Sequence, residues 1–185
     1  MIRATIVLLT CLLIKPVSAL QAQSLFQAKN AEVNFFSKTP VEDIDAKNTQ
    51  ATSILNVSTQ EIVFFVPIKG FKFKNGLMQD HFNEKYLESD QYPDATYKGK
   101  INEKGDYTKD GTYNVTTTGK LKVHGVERDI TEKGVITVKD GAINVKTTLN
   151  IKIADYKIEV PKLVVQNIAE VIDVNVNANY QPYKK

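Results

Sequence analysis

From Ala142 to Ile153 the chain alternates almost without a break. Ile143, Val145, Thr147, Leu149, Ile151 and Ile153 fall on one side, and Asn144, Lys146, Thr148, Asn150 and Lys152 on the other. Successive side chains of a strand point to opposite faces, so this is a long strand with one dry side and one wet side. The same two-residue period returns many times, and a sheet built from such strands is expected to close on itself. A closed sheet with one continuous apolar face encloses either a packed core or a ligand cavity.

The first residues follow a different pattern. Arg3 gives a basic start, Ala4 to Ile14 is a short apolar run, and Val17-Ser18-Ala19 supplies the small residues a signal peptidase prefers. Residues 1–19 are therefore expected to be a cleaved secretory signal, with Ala22 as the second cleavage choice, and residues 20–185 a single domain. The apolar run falls short of the roughly 20 residues a transmembrane helix needs. Leu8-Leu9-Thr10 precedes Cys11, but Thr is poor before a lipidated cysteine and the apolar run continues past it, so lipidation is not expected.

Export sets what the mature chain contains. Cys11 is the one cysteine and leaves with the signal, which removes disulfides, a thiolate nucleophile and cysteine metal sites. Arg3 and Lys15 leave too and lower the formal charge of +3 by two. No concentrated basic stripe of the kind nucleic-acid binding needs is present. The expected location is the periplasm or outside the cell, and the remaining length can bury a sizeable core.

Along the mature chain, Ala31 to Phe35 reads as the first strand and Thr39-Pro40 as a break. Val41 to Asn48, with Glu42, Asp43, Asp45 and Lys47, reads as a hairpin or short excursion, and Ser53 to Val57 and Glu61 to Ile68 as two strands. Val63 and Phe65 make the second of these apolar on both faces, so something should cover its outside. Gly70 to Phe73 continues the sheet, and Asn75-Gly76 ends it. Met78, Phe82 and Tyr86 then recur every four residues, so Leu77 to Ser89 is expected to be a helix that stops at Tyr92-Pro93 and lies over the end or the side of the barrel, where it could cover Val63 and Phe65. The second half reads as a meander: Thr96 to Ile101, Thr112 to Val123, Ile130 to Val138, the strand already described, and a last strand carrying Ile172, Val174, Val176, Ala178 and Tyr180 on one face. His124-Gly125 and Asp140-Gly141 suit tight turns. The expected fold is all-β, an antiparallel barrel of about eight strands with one short helix covering it.

Alternation does not say which face is inside. Lys98, Lys100, Lys120, Lys122, Lys146 and Lys152 share the polar face. An eight-stranded barrel interior has room for side chains and little water, so burying those ammonium groups together is prohibitive. The apolar face is inside, the opposite of an outer-membrane barrel, and a soluble protein is expected.

Two segments carry a family resemblance. Phe71 to Tyr97, with its Phe71-Lys72-Phe73 strand, Gln79-Asp80-His81 helix start, apolar helix and Tyr92-Pro93, resembles the central signature of the YceI-like family. Gly119-Lys120-Leu121-Lys122-Val123-His124-Gly125-Val126, followed by an apolar strand, is similar to the family's second signature. The first Val-x-Phe strand departs from longer members, which tend to follow it with a histidine where this chain has Phe36-Ser37-Lys38. The resemblance implies an extended lipocalin-like barrel, some of whose members hold a polyisoprenoid chain in a tubular interior.

Candidate chemistry is sparse. Asp80-His81 and His124 resemble a metal pair, but zinc or iron needs three or four converging ligands and these are the two histidines of the chain. Glu84, Glu88 and Asp90 are spaced as a helix's wet face, with no nucleophile or carboxylate pair beside them. No active site, metal or cofactor is therefore expected. The candidate cavity lining is the inward set Phe64, Val66, Phe73, Tyr97, Gly99, Tyr113, Val115, Gly119, Leu121, Leu149, Ile151, Val174 and Val176. Inward Gly99, Gly119, Thr117 and Ala178 are small and are expected to leave volume unfilled. Inward tyrosine hydroxyls need polar partners, which favours an amphipathic lipid over a pure hydrocarbon. The expected function is an exported carrier of an isoprenoid or fatty-acyl lipid, the alternative a cell-envelope structural or interaction protein with a fully packed barrel. N-terminal sequencing of exported protein should find a start near Leu20; a diacylated Cys11 at the terminus would overturn the soluble assignment.

Overall fold

The alternating segments become the walls of one barrel. The computed structural model describes residues 24–38, 43–160 and 169–183. The expected signal, Cys11 and the Thr39-Pro40 break lie outside them. The strands are β1 (Leu25–Ser37), β2 (Ile44–Asn56), β3 (Glu61–Pro67), β4 (Lys72–Phe73), β5 (Asp94–Ile101), β6 (Gly111–Val123), β7 (Val126–Lys139), β8 (Ala142–Lys152) and β9 (Val171–Pro182), and the helix is α1 (Gly76–His81). Neighbours pair in the order β1-β9-β8-β7-β6-β5-β3-β2, all antiparallel, and β1 also pairs with β2. That last ladder closes an eight-stranded barrel, and the two-residue β4 adds to β2 beside its mouth.

Turn chemistry sets the register where the sequence says it should. His124 and Gly125 have φ of 50° and 73°, and Asp140 and Gly141 of 51° and 76°. Two consecutive left-handed residues make the hairpin turn whose twist matches the flanking strands. Val123 accordingly pairs with Val126, and Lys139 with Ala142.

The first two strands are longer than their patterns predict, because each carries a bulge. In β1 the buried positions switch from Phe26 and Ala28 to Ala31 and Val33, with Lys29 and Asn30 both exposed between them. In β2 they switch from Ala46 and Asn48 to Ala51 and Ser53 across exposed Thr49 and Gln50. Each switch coincides with a register shift in the β1–β2 ladder. An extra residue reverses the parity of everything beyond it. This is why Val41 to Asn48 reads as an excursion, although Ile44 to Asn48 is the start of β2.

The helix is shorter than the expected Leu77 to Ser89. Asn75 caps it by accepting a hydrogen bond from the Leu77 amide at 2.9 Å. After His81 the coil widens into a π-type turn, Phe82–Tyr86, and ends at Leu87. It lies at the barrel mouth rather than over the outside of β3, so Val63 and Phe65 remain 39% and 42% exposed. The lysines of the polar face are exposed, while Phe64, Val115 and Leu121 are buried on the opposite pleat.

The interior is filled unevenly. At the end formed by the β2–β3 turn, the β5–β6 loop and the Asp140-Gly141 turn, Leu55, Ile101, Tyr107, Val138, Ile143 and Tyr180 are fully buried. The Tyr180 hydroxyl meets Ser53 Oγ at 2.5 Å, and Ser53 Oγ lies 2.7 Å from the Val63 carbonyl, so the buried phenol does not lack a partner. Burial pushes its pKa well above the usual tyrosine range. At the other end β7 and β8 part company. Their ladder runs from Lys139 and Ala142 only as far as Gly134 and Thr147. Beyond it the seam is bridged by Thr147 Oγ1 donating to the Lys133 carbonyl at 2.7 Å and Arg128 Nε donating to the Asp155 carbonyl at 3.0 Å.

Gly99 and Gly119 do not leave empty volume, which corrects the expectation from their size. They face each other across β5 and β6. A Cβ on Gly119 would sit 2.4 Å from the Gly99 Cα and 2.4 Å from the Lys98 carbonyl oxygen. Gly119→Leu should therefore force two strands apart and lower stability by about 3 kcal/mol, the upper end of overpacking costs. Thermal unfolding measures it. Gly76→Ala, whose added methyl meets nothing within 4 Å, should leave the melting temperature unchanged or raise it.

Candidate ligand-binding cavity

The hollow half of the barrel encloses a cavity of about 540 Å³. That lies within the range of small-molecule sites, about 300–1,000 Å³. Its position follows from the strand pattern: the inward residues of the packed half meet one another, and those nearer the mouth meet space. Phe64 and Val66 of β3, Tyr97 of β5, Val115 and Leu121 of β6, Leu149 and Ile151 of β8, and Val174 and Val176 of β9 line it, with Phe73 of β4 at the mouth.

Three candidates fall elsewhere. The Tyr113 hydroxyl donates to the Lys109 carbonyl at 2.9 Å, and its ring lies edge-on to Tyr107 at 5.2 Å, so it closes the packed end. Gly119 is occupied by the neighbouring strand, as described. Gly99 is covered by a side chain, because a Cβ there would lie 2.2 Å from the Tyr97 hydroxyl oxygen. The missing side chain lets the Tyr97 ring lie down along the wall, where its hydroxyl donates to Thr117 Oγ1 at 2.9 Å.

Phe82 closes the mouth. Its ring packs on Phe35, Phe71 and Phe73 with centroids 5.4, 5.5 and 5.0 Å away, so one aromatic cluster joins β1, the segment around β4 and the helical turn. Met78, His81, Phe82, Tyr86 and Leu87 all face the cavity from this segment. On its far side the two ring nitrogens of His124 face Glu88 Oε2 at 2.8 Å and the Tyr156 carbonyl at 3.2 Å, and its ring is edge-on to Tyr92 at 4.6 Å. These contacts tie the end of the helical turn to the β6–β7 turn. The two histidines are thus committed to different places, and no group of three metal-ligating side chains occurs among the described residues.

Among the lining residues outside the expected set, Glu132 is the one carboxylate. Glu132 shares the inward pleat of β7 with Ile130, Gly134 and Ile136 and faces the cavity. The parity that placed Ile136 inside also places Glu132 inside, so the signal was present. Burial holds its carboxyl above the usual carboxylate range. Burial likewise raises Tyr97, and the charge on Glu132 adds to that shift against the opposing Thr117 hydrogen bond.

The model of the YceI-like domain matches residues 21–180, nearly all of the described chain. The chain belongs to the YceI-like family. No protein of curated function matches it. Among solved structures, the YceI-like barrel is similar to a polyisoprenoid binding domain from Saccharophagus degradans (TM-score 0.72, 16% identity, covering 87% of this chain and 99% of that one). It is similar to BcnA of Burkholderia cenocepacia (TM-score 0.68, 16% identity, 80% and 95% covered). The Campylobacter jejuni YCEI protein has a TM-score of 0.62 at 18% identity, with 80% and 90% covered. At these identities the likeness is one of fold.

If Phe82 anchors the mouth of this YceI-like domain, Phe82→Ala should cost about 3 kcal/mol, as for large-to-small aromatic changes. Limited proteolysis should then cut first between Gly76 and Leu87, while the ladders at the packed end keep their amide protection.

Proposed function

We propose that the protein is an exported carrier that holds a long apolar ligand, an isoprenoid or fatty-acyl lipid, inside its barrel. In this reading residues 1–19 are removed on export, and the mature protein works in the periplasm or outside the cell. The observation that carries the proposal is the half-filled interior: an apolar cavity of about 540 Å³ continues from a well-packed base. A structural protein needs no such void, since unfilled volume lowers stability. The printed description of the Saccharophagus degradans structure as a polyisoprenoid binding domain supports the same ligand class.

The energetics suffice without chemistry. Each methylene taken from water contributes about 0.8 kcal/mol, so ten of them contribute about 8 kcal/mol, against which the entropy of ordering the chain is set. A preformed barrel keeps that cost low. No helix among the described residues is long and apolar enough to cross a membrane, and nothing in the cavity is arranged as a nucleophile and base. The reading is therefore binding, not catalysis.

Native mass spectrometry of protein purified from its own host should show a co-purifying apolar molecule. In a paired test, Leu149→Trp should fill cavity volume and weaken a fluorescent prenyl or acyl probe about tenfold, one hot-spot's worth of affinity, with little change in melting temperature. A parent protein that carries no lipid and binds no probe would sink the carrier reading.

A further inference from the structure

The cavity lining is mostly apolar, and on it Glu132, Thr117 and Tyr97 come together. Glu132 and Thr117 are directly paired across β7 and β6. Tyr97 reaches Thr117 from β5 because Gly99 gives its ring room to lie flat. Glu132 is the one carboxylate among the described lining residues, and no described residue reaches it with a hydrogen bond or ion pair. It also stands beside the β7–β8 seam, on the unpaired stretch before Gly134, where the cavity wall is thinnest in backbone hydrogen bonds.

We propose that Glu132, with Thr117 and Tyr97, is the head-group station of the cavity, and that it selects long-chain ligands ending in a hydrogen-bond donor over those ending in an anion. The inference rests on the carrier reading above and narrows it. Placed beside an alcohol or amine, an unpartnered acceptor in an apolar wall gains the bond it lacks. Beside a carboxylate, sulfonate or phosphate it meets a like charge. Partial burial already disfavours its charge. Thr117 is shared: it accepts from Tyr97 and leaves the phenol oxygen facing the same space.

The test uses the whole mature protein, a fluorescent apolar probe and three chain-matched competitors: dodecan-1-ol, dodecylamine and dodecane-1-sulfonate. The alcohol and the amine should displace the probe at concentrations about tenfold or more below the sulfonate. Glu132→Gln keeps the shape and removes the charge. It should improve the sulfonate about tenfold and leave the alcohol within a small factor. The sulfonate stays charged at all working pH values, so in the parent its binding should strengthen as pH falls and Glu132 takes up a proton, and in Glu132→Gln that trend should vanish. The titratable and charged groups around Glu132 are Tyr97 from β5, Asp155 and Tyr156 from the turn after β8, Arg128 and the exposed Lys133 from its own strand, and His81 across the cavity. The Gln variant separates their titration from that of Glu132. Equal displacement by all three heads in the parent, or discrimination that survives Glu132→Gln, would overturn the head-group station while leaving the carrier intact. Failure of the parent to bind the probe or any competitor would overturn both. Should Glu132→Gln melt early, Thr117→Val and Tyr97→Phe must each weaken the alcohol more than the sulfonate, or the proposal falls.

Discussion

Closure of the backbone ladder is the constraint on which the rest depends. Because β1 pairs with β2 as well as with β9, the sheet has an inside and an outside rather than two equivalent faces and two open edges. Once closed, the two-residue period can be satisfied in only one way. Apolar residues share the interior, and the lysines of the alternate pleat stay wet. The bulges at Lys29-Asn30 and Thr49-Gln50 belong to the same requirement. They bend β1 and β2 enough to meet while keeping Ala31, Ala51 and Ser53 directed inward.

Within that frame the interior is specified by size. Tyr107, Tyr180, Leu55 and Ile143 fill the base. Toward the mouth, side chains of comparable bulk face a volume they do not fill. The glycines work opposite to first impression: Gly99 and Gly119 are where two strands and a tyrosine crowd together, not where space is left. Their absence of Cβ atoms is what allows Tyr97 to carry its hydroxyl along the wall to Thr117. A small inward residue therefore marks close approach as readily as it marks a void, and only the positions of neighbouring atoms distinguish the two.

Much of the fold was legible in the chain, and the failures have physical causes. Strands β5 to β9 were readable because their parity is unbroken and their turns announce themselves in His124-Gly125 and Asp140-Gly141. Strands β1 and β2 were foreshortened where a single extra residue reversed the parity, and where the inward residues Ala46 and Asn48 are small or polar. Asn48 is fully buried all the same, its side-chain amide donating to the Pro67 carbonyl at 2.7 Å. The helix was recognised by period, and of the two positions open to it, the end or the side of the barrel, it takes the end. Periodicity names the apolar face of an element and not its partner, and Phe82 had three phenylalanines at the mouth to choose over Val63 and Phe65. Most of the candidate lining was readable from the same parity. Tyr113 was not, because a side chain's lean along the strand decides which end of a barrel it fills. Glu132 was overlooked because charge is ordinarily evidence of an outward face, and here the pleat overrides it.

The uneven filling has a consequence for how the molecule moves. Resistance to local opening follows buried contacts and paired backbone; the larger cluster of buried residues fills the base around Tyr180, and a smaller one joins Ile68, Leu87, Leu121, Val123 and Tyr156 near the mouth. Four phenylalanine rings, a histidine bridge and two bonds across the β7–β8 seam join that smaller cluster in holding the rim. Parting the rim thus draws on a different set of side chains from those that fill the base. In the carrier reading, guest exchange would draw on the rim residues and structural endurance on those of the base, so that either could drift in evolution without the other.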